Sequence, residues 1–181
     1  MSRKKVTVVG GGGIATALVR MLVPFGARVT VVRRTDRPVP GAARTLGPEA
    51  LGEALPEARL VVLALALTAA TTGIIGAPEL AAMHRRAWLV NVSRGRHVRT
   101  DALVEALSTG SIGGAALDVT DPEPLPEGHP LWTLPNCLVT PHSAGASTAV
   151  MRLLADRIED NVRRLAGGRP LEGVVDPAAG Y

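Results

Sequence analysis

Aromatic side chains are nearly missing from this chain: one Phe, one Tyr and two Trp among 181 residues. A core must therefore be filled by Ala, Val and Leu, and few rings remain for stacking on nucleic-acid bases. Cysteine is scarcer still. A lone Cys137 excludes an intramolecular disulfide and a cysteine-rich metal centre. Its setting, Asn136-Cys137-Leu138-Val139, reads as a buried strand. Long apolar runs are also lacking. The opening Met-Ser-Arg-Lys-Lys-Val leads into a short apolar stretch closed by glycines, too brief for a signal peptide or a membrane span. Cytoplasm is the default location, and no membrane partner is expected. The net charge of +4 is scattered, with no long Lys/Arg run, which argues against a nucleic-acid partner.

What is present is the composition of a folded domain, 46% hydrophobic and 20% charged, at a length that suits one domain with a small appendage. Apolar runs of strand length alternate with stretches of helical period, the mark of βαβ units and a parallel sheet. The predicted strands are 5–9, 28–32, 60–65, 87–91, 113–117 and 137–140. They are almost continuous in Val, Leu and Ala, as strands covered on both faces are. Helices are predicted over 14–23, 48–55, 78–83, 101–108 and 146–165. Six strands with intervening helices predict an α/β fold with a doubly wound, Rossmann-type parallel sheet. A proline-rich loop, 120–135, precedes the last strand.

The first strand ends in Val9-Gly10-Gly11-Gly12-Gly13-Ile14-Ala15. Read as G-x-G-x-x-A, this puts Gly10 at a tight turn and Gly12 where backbone must approach a pyrophosphate. Ala15 falls where a small residue lets helix pack on strand. The N–H groups opening the next helix would face the diphosphate, helped by the helix dipole. A flexible turn is the bland alternative, but the motif follows a strand and opens a helix, the context that a dinucleotide site requires. The second strand ends in Arg33-Arg34, where an NAD site normally carries an acid for the ribose hydroxyls. An arginine pairs instead with a 2′-phosphate. The reading is NADP in preference to NAD, with Thr35 and Arg37 as additions to that pocket.

Three polar clusters follow successive predicted strands: Asn91-Val92-Ser93-Arg94-Gly95, the stretch Asp118 to Leu125, and Thr140-Pro141-His142-Ser143-Ala144-Gly145. Loops at these strand ends line the ligand crevice of such a fold. Reduction of a 2-oxo acid needs a fixed cation for the carboxylate, and Arg94 offers a bidentate fork. It also needs an acid for the carbonyl oxygen, which a histidine beside a carboxylate provides: His142 with Glu123. Each residue alone has a dull explanation, as a cap, a solvated loop acid or a turn anchor. Three at consecutive strand ends beside a dinucleotide motif form a coherent set.

The chain resembles the nucleotide-binding domain of the D-isomer-specific 2-hydroxyacid dehydrogenases, the family of glycerate, phosphoglycerate and glyoxylate/hydroxypyruvate reductases. The resemblance runs from about Val6 to the C-terminus. It rests on Gly-Gly-Ile-Ala, Leu67-Thr68, Val-Asn-Val-Ser-Arg-Gly, Gly-Ala-Ala-Leu-Asp-Val, Glu-Pro-Leu-Pro, His-Pro-Leu-Trp and Thr-Pro-His-Ser-Ala-Gly, in the family's order. It implies that Arg94 grips the substrate carboxylate, His142 gives and takes the proton, and Glu123 orients and charges it. Asp118 would hold the nicotinamide carboxamide, with Val92, Ser93 and His142, Ser143, Ala144 and Gly145 lining that end. Gly13 and Ile14 would offer backbone to the pyrophosphate, and Thr68 belongs to the same cofactor shell. A homodimer is implied as well. His84, His97 and His129 match no catalytic position and are read as surface or turn residues, and Trp132 as a packing anchor.

Two departures stand out. Ala66 occupies a place where the family commonly has Pro before Leu-Thr, and the end of the second strand has arginine where the acidic ribose reader would stand. The chain also begins at the first Rossmann strand, where family members carry a substrate domain before it. The expected organisation is therefore a cofactor domain over 1–167 and a tail over 168–181 that would pack on the substrate domain. The expected activity is NAD(P)-dependent reduction of a small 2-oxo acid to a D-2-hydroxy acid, with no metal. The rival is a stand-alone dinucleotide-binding module, or truncated gene product, without catalysis.

Overall fold

The computed structural model describes residues 4–35, 37–145 and 147–177. Seven strands form one parallel sheet: β1 Lys5–Val9, β2 Arg28–Val32, β3 Arg44–Leu46, β4 Leu60–Leu63, β5 Trp88–Asn91, β6 Gly114–Leu117 and β7 Cys137–Val139. Their order across the sheet is β3-β2-β1-β4-β5-β6-β7. The chain thus starts in the middle, winds one way to β3, then returns past β1 to wind the other way. Beyond the carboxyl ends of β1 and β4, where the winding reverses, an open α/β sheet leaves its crevice.

Side chains on successive strand positions face opposite sides of the sheet, and both sides are covered. Val6, Val8, Val29 and Val31 join Ala15 and Val19 of helix α1 (Gly13–Leu22) in one core cluster. Val9, Val32, Val61, Leu63 and Leu89 belong to the other cluster, with Leu51 and Ala54 of α2 (Leu51–Ala54), Leu80 of α3 (Ala77–Ala82) and Leu103 and Leu107 of α4 (Thr100–Ser108). Thr7 lies buried on that second side, and its hydroxyl donates to the Ala54 carbonyl at 2.6 Å, which satisfies the one buried polar side chain of β1.

Six of the seven strands match the predicted ones, with ends displaced by no more than two residues. The strand absent from the sequence reading is β3. Its three residues, Arg-Thr-Leu, sit at the sheet edge and carry no apolar alternation. The stretch 48–55 is not one helix but a 3-10 turn, Pro48–Ala50, followed by one turn of α-helix. The last helix, α5, spans Thr148–Ala166, where the Ser147 side chain caps the Val150 N–H. Ala146, where the sequence placed its start, lies outside the described residues.

Cys137 is half-buried rather than buried, because β7 is the other edge strand and Leu138 on its outer face is exposed. Trp132, read as a packing anchor, meets the long loop through its indole N–H. A 3-10 turn over Pro130–Trp132 aims Leu131 inward and leaves the indole half exposed, its N–H bonded to the Pro126 carbonyl at 3.0 Å.

Helix α5 differs from the rest, since none of its residues is buried. Met151, Leu154, Ile158, Val162 and Leu165 recur at helical spacing as an exposed apolar stripe. The chain after it folds back: Asn161 and the Glu172 backbone exchange two hydrogen bonds of 2.9 and 3.0 Å, and Arg164 pairs with Glu172. Among the described residues no helix is long and apolar enough to cross a membrane.

Candidate active site at the carboxyl edge of the sheet

Because all seven strands run in parallel, their carboxyl ends, and the loops the sequence singled out, lie along one edge. Gly10 leaves β1 with φ +122, and its N–H donates to the Val32 carbonyl at 2.8 Å, tying the turn to β2. A Cβ at this position would overlap the Ala64 carbonyl oxygen. No other residue fits. Gly12 and Gly13 are the opposite case. Both are exposed, and a Cβ on either would meet nothing within 4 Å. Gly12 caps α1, and among the described residues no side-chain hydrogen bond caps the helix's first N–H groups. These donors open on free space with the positive end of the helix dipole behind them, a place suited to an anion. Ile14 is exposed and Ala15 buried.

Arg33 leaves β2 beside this turn. A Cβ on Gly11 would fall 2.6 Å from the Arg33 Nε, so the guanidinium stem lies across the glycine loop. Its Nη1 donates to the Arg37 carbonyl at 3.4 Å. Arg37 thus contributes its carbonyl here, while Arg34 and Thr35 are exposed alongside. The residues present therefore fit a dinucleotide: an open cradle of backbone donors, with a cation at the ribose end.

On the far side of β1 the ends of β4, β5, β6 and β7 carry polar side chains that lock to one another. Ser93 is buried, and its Oγ donates to the Leu63 carbonyl at 2.7 Å while accepting the Leu65 N–H at 3.1 Å. Val92 before it is half-buried. Asn91 accepts the Ser93 N–H and donates to the Arg94 carbonyl at 2.9 Å. Arg94 itself is exposed, and its Nη1 turns onto the Ser93 carbonyl at 2.7 Å. Thr68 sits in a threonine-rich turn, where its N–H donates to Thr71 Oγ1 at 2.8 Å.

Asp118, at the end of β6, is buried, and its carboxylate holds the turn after β7. Oδ1 accepts from Thr140 Oγ1 at 2.6 Å and from the Ser143 N–H at 3.1 Å, and Oδ2 accepts the Ala144 N–H at 3.0 Å. Burial alone would raise this carboxyl's pKa, but the bonds from Thr140, Ala144 and Ser143, with the nearby His142, outweigh it and hold the group below its usual range. The turn so fixed places His142 in a left-handed conformation, φ 53, with its Nδ1 2.5 Å from Glu123 Oε1. Both side chains remain open to solvent, as are Ser143, Ala144 and Gly145.

The structure thus brings Glu123 and His142 together and sets Asp118 beneath them. Among the described residues no hydrogen bond or ion pair joins Arg94 to that pair. The two loops nevertheless touch, because a Cβ on Gly95 would overlap the Thr120 carbonyl oxygen. An open cavity of about 460 Å³, lined by residues including Arg96, Arg99, Thr100 and Asp121, lies beside this junction and contains neither Glu123 nor His142. Among the described residues no group of His, Cys, Asp and Glu is placed to hold a metal ion.

The sequence reading missed His97. It is not a surface residue but wholly buried, with Nδ1 3.0 Å from the Arg94 carbonyl and Nε2 3.2 Å from that of Ala66. Three residues after a candidate arginine, on a short turn, its position was the only available signal. His84 and His129 do serve turns: each Nδ1 meets a backbone N–H, of Arg86 and of Leu131.

A model of the D-isomer specific 2-hydroxyacid dehydrogenase NAD-binding domain matches residues 1–144. The chain belongs to that family. It is 34% identical over 176 residues to a glyoxylate/hydroxypyruvate reductase A of Photorhabdus laumondii, covering 97% of this chain and 56% of that protein. A D-isomer specific 2-hydroxyacid dehydrogenase from Xanthobacter autotrophicus, solved in complex with NADPH and MES, superposes with a TM-score of 0.91 at 41% identity, over 98% of this chain and 73% of that one. An NADPH-dependent glyoxylate/hydroxypyruvate reductase from Sinorhizobium meliloti, solved with NADP and sulfate, gives 0.90 at 33% identity, over 98% and 57%. The chain spans somewhat more than half the length of the curated relatives it matches. The family match makes it a nicotinamide-dinucleotide-binding Rossmann domain.

Proposed function

We propose that this chain is the cofactor-binding and proton-transferring part of an oxidoreductase that reduces small 2-oxo acids, of the glyoxylate or hydroxypyruvate kind, to D-2-hydroxy acids. The observation that carries this reading is the His142–Glu123 pair, 2.5 Å apart, on the same sheet edge as an open glycine cradle. A bound nicotinamide supplies the hydride. The chain's own residues do the rest. Gly10, Gly12, Gly13 and Ile14 receive the pyrophosphate through backbone, and Arg33, with Arg34 near it, meets a 2′-phosphate, so NADP is preferred to NAD. Val92, Ser93, Thr68 and the turn from His142 to Gly145 line the nicotinamide end. Asp118 has one carboxylate oxygen with a single partner, the acceptor that would meet the carboxamide.

His142 Nδ1 faces Glu123, which leaves Nε2 to give its proton to the substrate carbonyl oxygen. Arg94 leaves the Ser93 carbonyl and takes the substrate carboxylate instead. That exchange is favourable because a carboxylate carries the opposite charge and can accept two parallel N–H bonds from the guanidinium, where the Ser93 carbonyl takes one.

The organisation proposed is a cofactor domain over 1–167 and a tail over 168–181. The apolar stripe on α5 and this tail would lie against a substrate domain. A homodimer and a cytoplasmic location belong to the same reading. The 181-residue chain alone is expected to bind NADPH tightly and turn over slowly, since a cleft shared with further residues is incomplete without them. Following NADPH oxidation with glyoxylate, hydroxypyruvate or pyruvate tests this. Joining the chain to a substrate domain from a relative should raise the rate, and His142→Asn should abolish it. Brisk saturable turnover by the chain alone would overturn the shared cleft. A joined protein that binds NADPH and turns over equally well with Asn at 142 would overturn the proton donor.

A further inference from the structure

The buried His97 has no part in the reaction just described, yet it stands between two segments of the site. From the geometry we infer that it is a positioning residue, whose Nε2–H holds the cofactor-lining segment 66–68 against the loop that carries Arg94. This rests on the reading of Thr68 as part of the cofactor shell.

Counting donors places the proton. The Arg94 carbonyl already accepts from Asn91 Nδ2 at 2.9 Å and from the His97 backbone N–H at 3.2 Å, which fills both lone pairs. The Ala66 carbonyl has one other donor, Thr71 Oγ1 at 2.8 Å. Either neutral tautomer sets one acceptor nitrogen against a carbonyl oxygen, Nδ1 at 3.0 Å or Nε2 at 3.2 Å, so the donor count separates them. A proton on Nε2 gives each oxygen two donors, and one on Nδ1 gives three to the Arg94 oxygen and one to the Ala66 oxygen. The ring is kept neutral by burial, which lowers its pKa against the raising effect of the two carbonyls, with the Arg94 charge adding to the lowering.

To either side of 66–68 other bonds join the two stretches: Ser93 Oγ accepts the Leu65 N–H at 3.1 Å on one side, and backbone pairs lie on the other. Gly73 N–H donates to the Arg96 carbonyl at 2.8 Å, Ile75 N–H to the His97 carbonyl at 3.0 Å, and Ile75 bridges Val98. These bonds fix 73–75. The 66–68 end has no such backbone bond to the 94–99 loop among the described residues, and the imidazole is what reaches it.

Gln and Asn separate the two contacts, because a Gln amide nitrogen overlies the ring's Nε2 and an Asn amide nitrogen its Nδ1. Cofactor affinity and thermal midpoint are measured for the wild-type chain and for His97→Gln, His97→Asn and His97→Leu, with the ring protonation of His97 read from its 15N spectrum. The expected spectrum is the Nε2–H tautomer. His97→Gln should hold NADPH within about twofold of wild type, while His97→Asn weakens it by about three- to tenfold, the worth of one hydrogen bond. The two amide variants should melt close together. His97→Leu should fall with His97→Asn; if it does not fold, the Gln and Asn pair carries the comparison.

The inference is overturned by an Nδ1–H tautomer, by wild-type affinity in all variants, or by losses that follow the thermal midpoint in Gln and Asn alike. A wild-type chain that fails to bind NADPH sinks the cofactor reading and this role together, and is told apart from the other failures by that control.

Discussion

The two flanks of the sheet edge build their halves of the site from different materials. On the β1–β2 side the work is done by backbone: Gly10 folded against Ala64, Gly12 and Gly13 left bare, with the Arg33 side chain laid across the loop. On the β4–β7 side it is done by side chains bonded to backbone or to one another, as Ser93 is to the end of β4 and Asp118 to the 140–144 turn. A backbone cradle is sensitive to added atoms, whereas a polar lock is sensitive to removed ones. The contrast can be tested by mutation on either side.

The largest effect should come from adding one carbon. Gly10→Ala forces a left-handed φ and drives Cβ into a carbonyl, so a loss of about 3 kcal/mol or more is expected in denaturant titration. Gly12→Ala, into open space, should change stability by no more than about 0.5 kcal/mol. It should nevertheless weaken NADPH binding at least tenfold, because the methyl occupies the place of the pyrophosphate. If the two glycines behave alike, the backbone cradle is misread.

Removing one charge on the other flank comes next. Asp118→Asn leaves an amide N–H pointing at a backbone N–H, and a cost of about 1–3 kcal/mol is expected at neutral pH. The folded-state pKa of Asp118 is depressed, so its contribution is fully present above the unfolded value, about 3.9. It is lost as pH falls through the lower folded value. The gap between wild type and Asp118→Asn should therefore close on acidification below about pH 4, and a gap constant down to the acid limit would mean that the carboxylate is not the lock.

Arg33→Asp should leave stability within about 0.5 kcal/mol, being a surface change, and invert the preference between NADPH and NADH in a fluorescence titration. Equal affinities before and after would remove the phosphate-reading role. The smallest effect concerns Cys137. Burial pushes its thiol up to about 11, so alkylation near pH 8 should be slow and should quicken as pH approaches that value.

The same contrast explains what could be read in the sequence. The glycine turn was legible almost atom by atom, because a requirement for φ +122 and for no Cβ leaves a single residue type. The strands β1 and β2 were legible because Val repeats on both faces. The edge strand β3 was not, since Arg44-Thr45-Leu46 takes its shape from pairing with β2 and not from its own pattern. In the site, the residue types at 94, 123 and 142 announced a carboxylate grip and an acid–base pair, and His142 Nδ1 stands 2.5 Å from Glu123 Oε1. What sequence could not supply was the partner of each group. Asp118 holds a turn, Arg94 rests on its own neighbour's carbonyl, and His97 is inside. Such assignments depend on which loops meet after folding, and spacing along the chain carries no record of that.

One close approach has a mechanical consequence. With Gly95 pressed on the peptide of Thr120, the loops bearing Arg94 and Glu123 cannot move closer together at that point, and no side chain can be inserted between them. In the proposed reading, that contact sets a lower limit on the gap between the carboxylate grip and the proton relay.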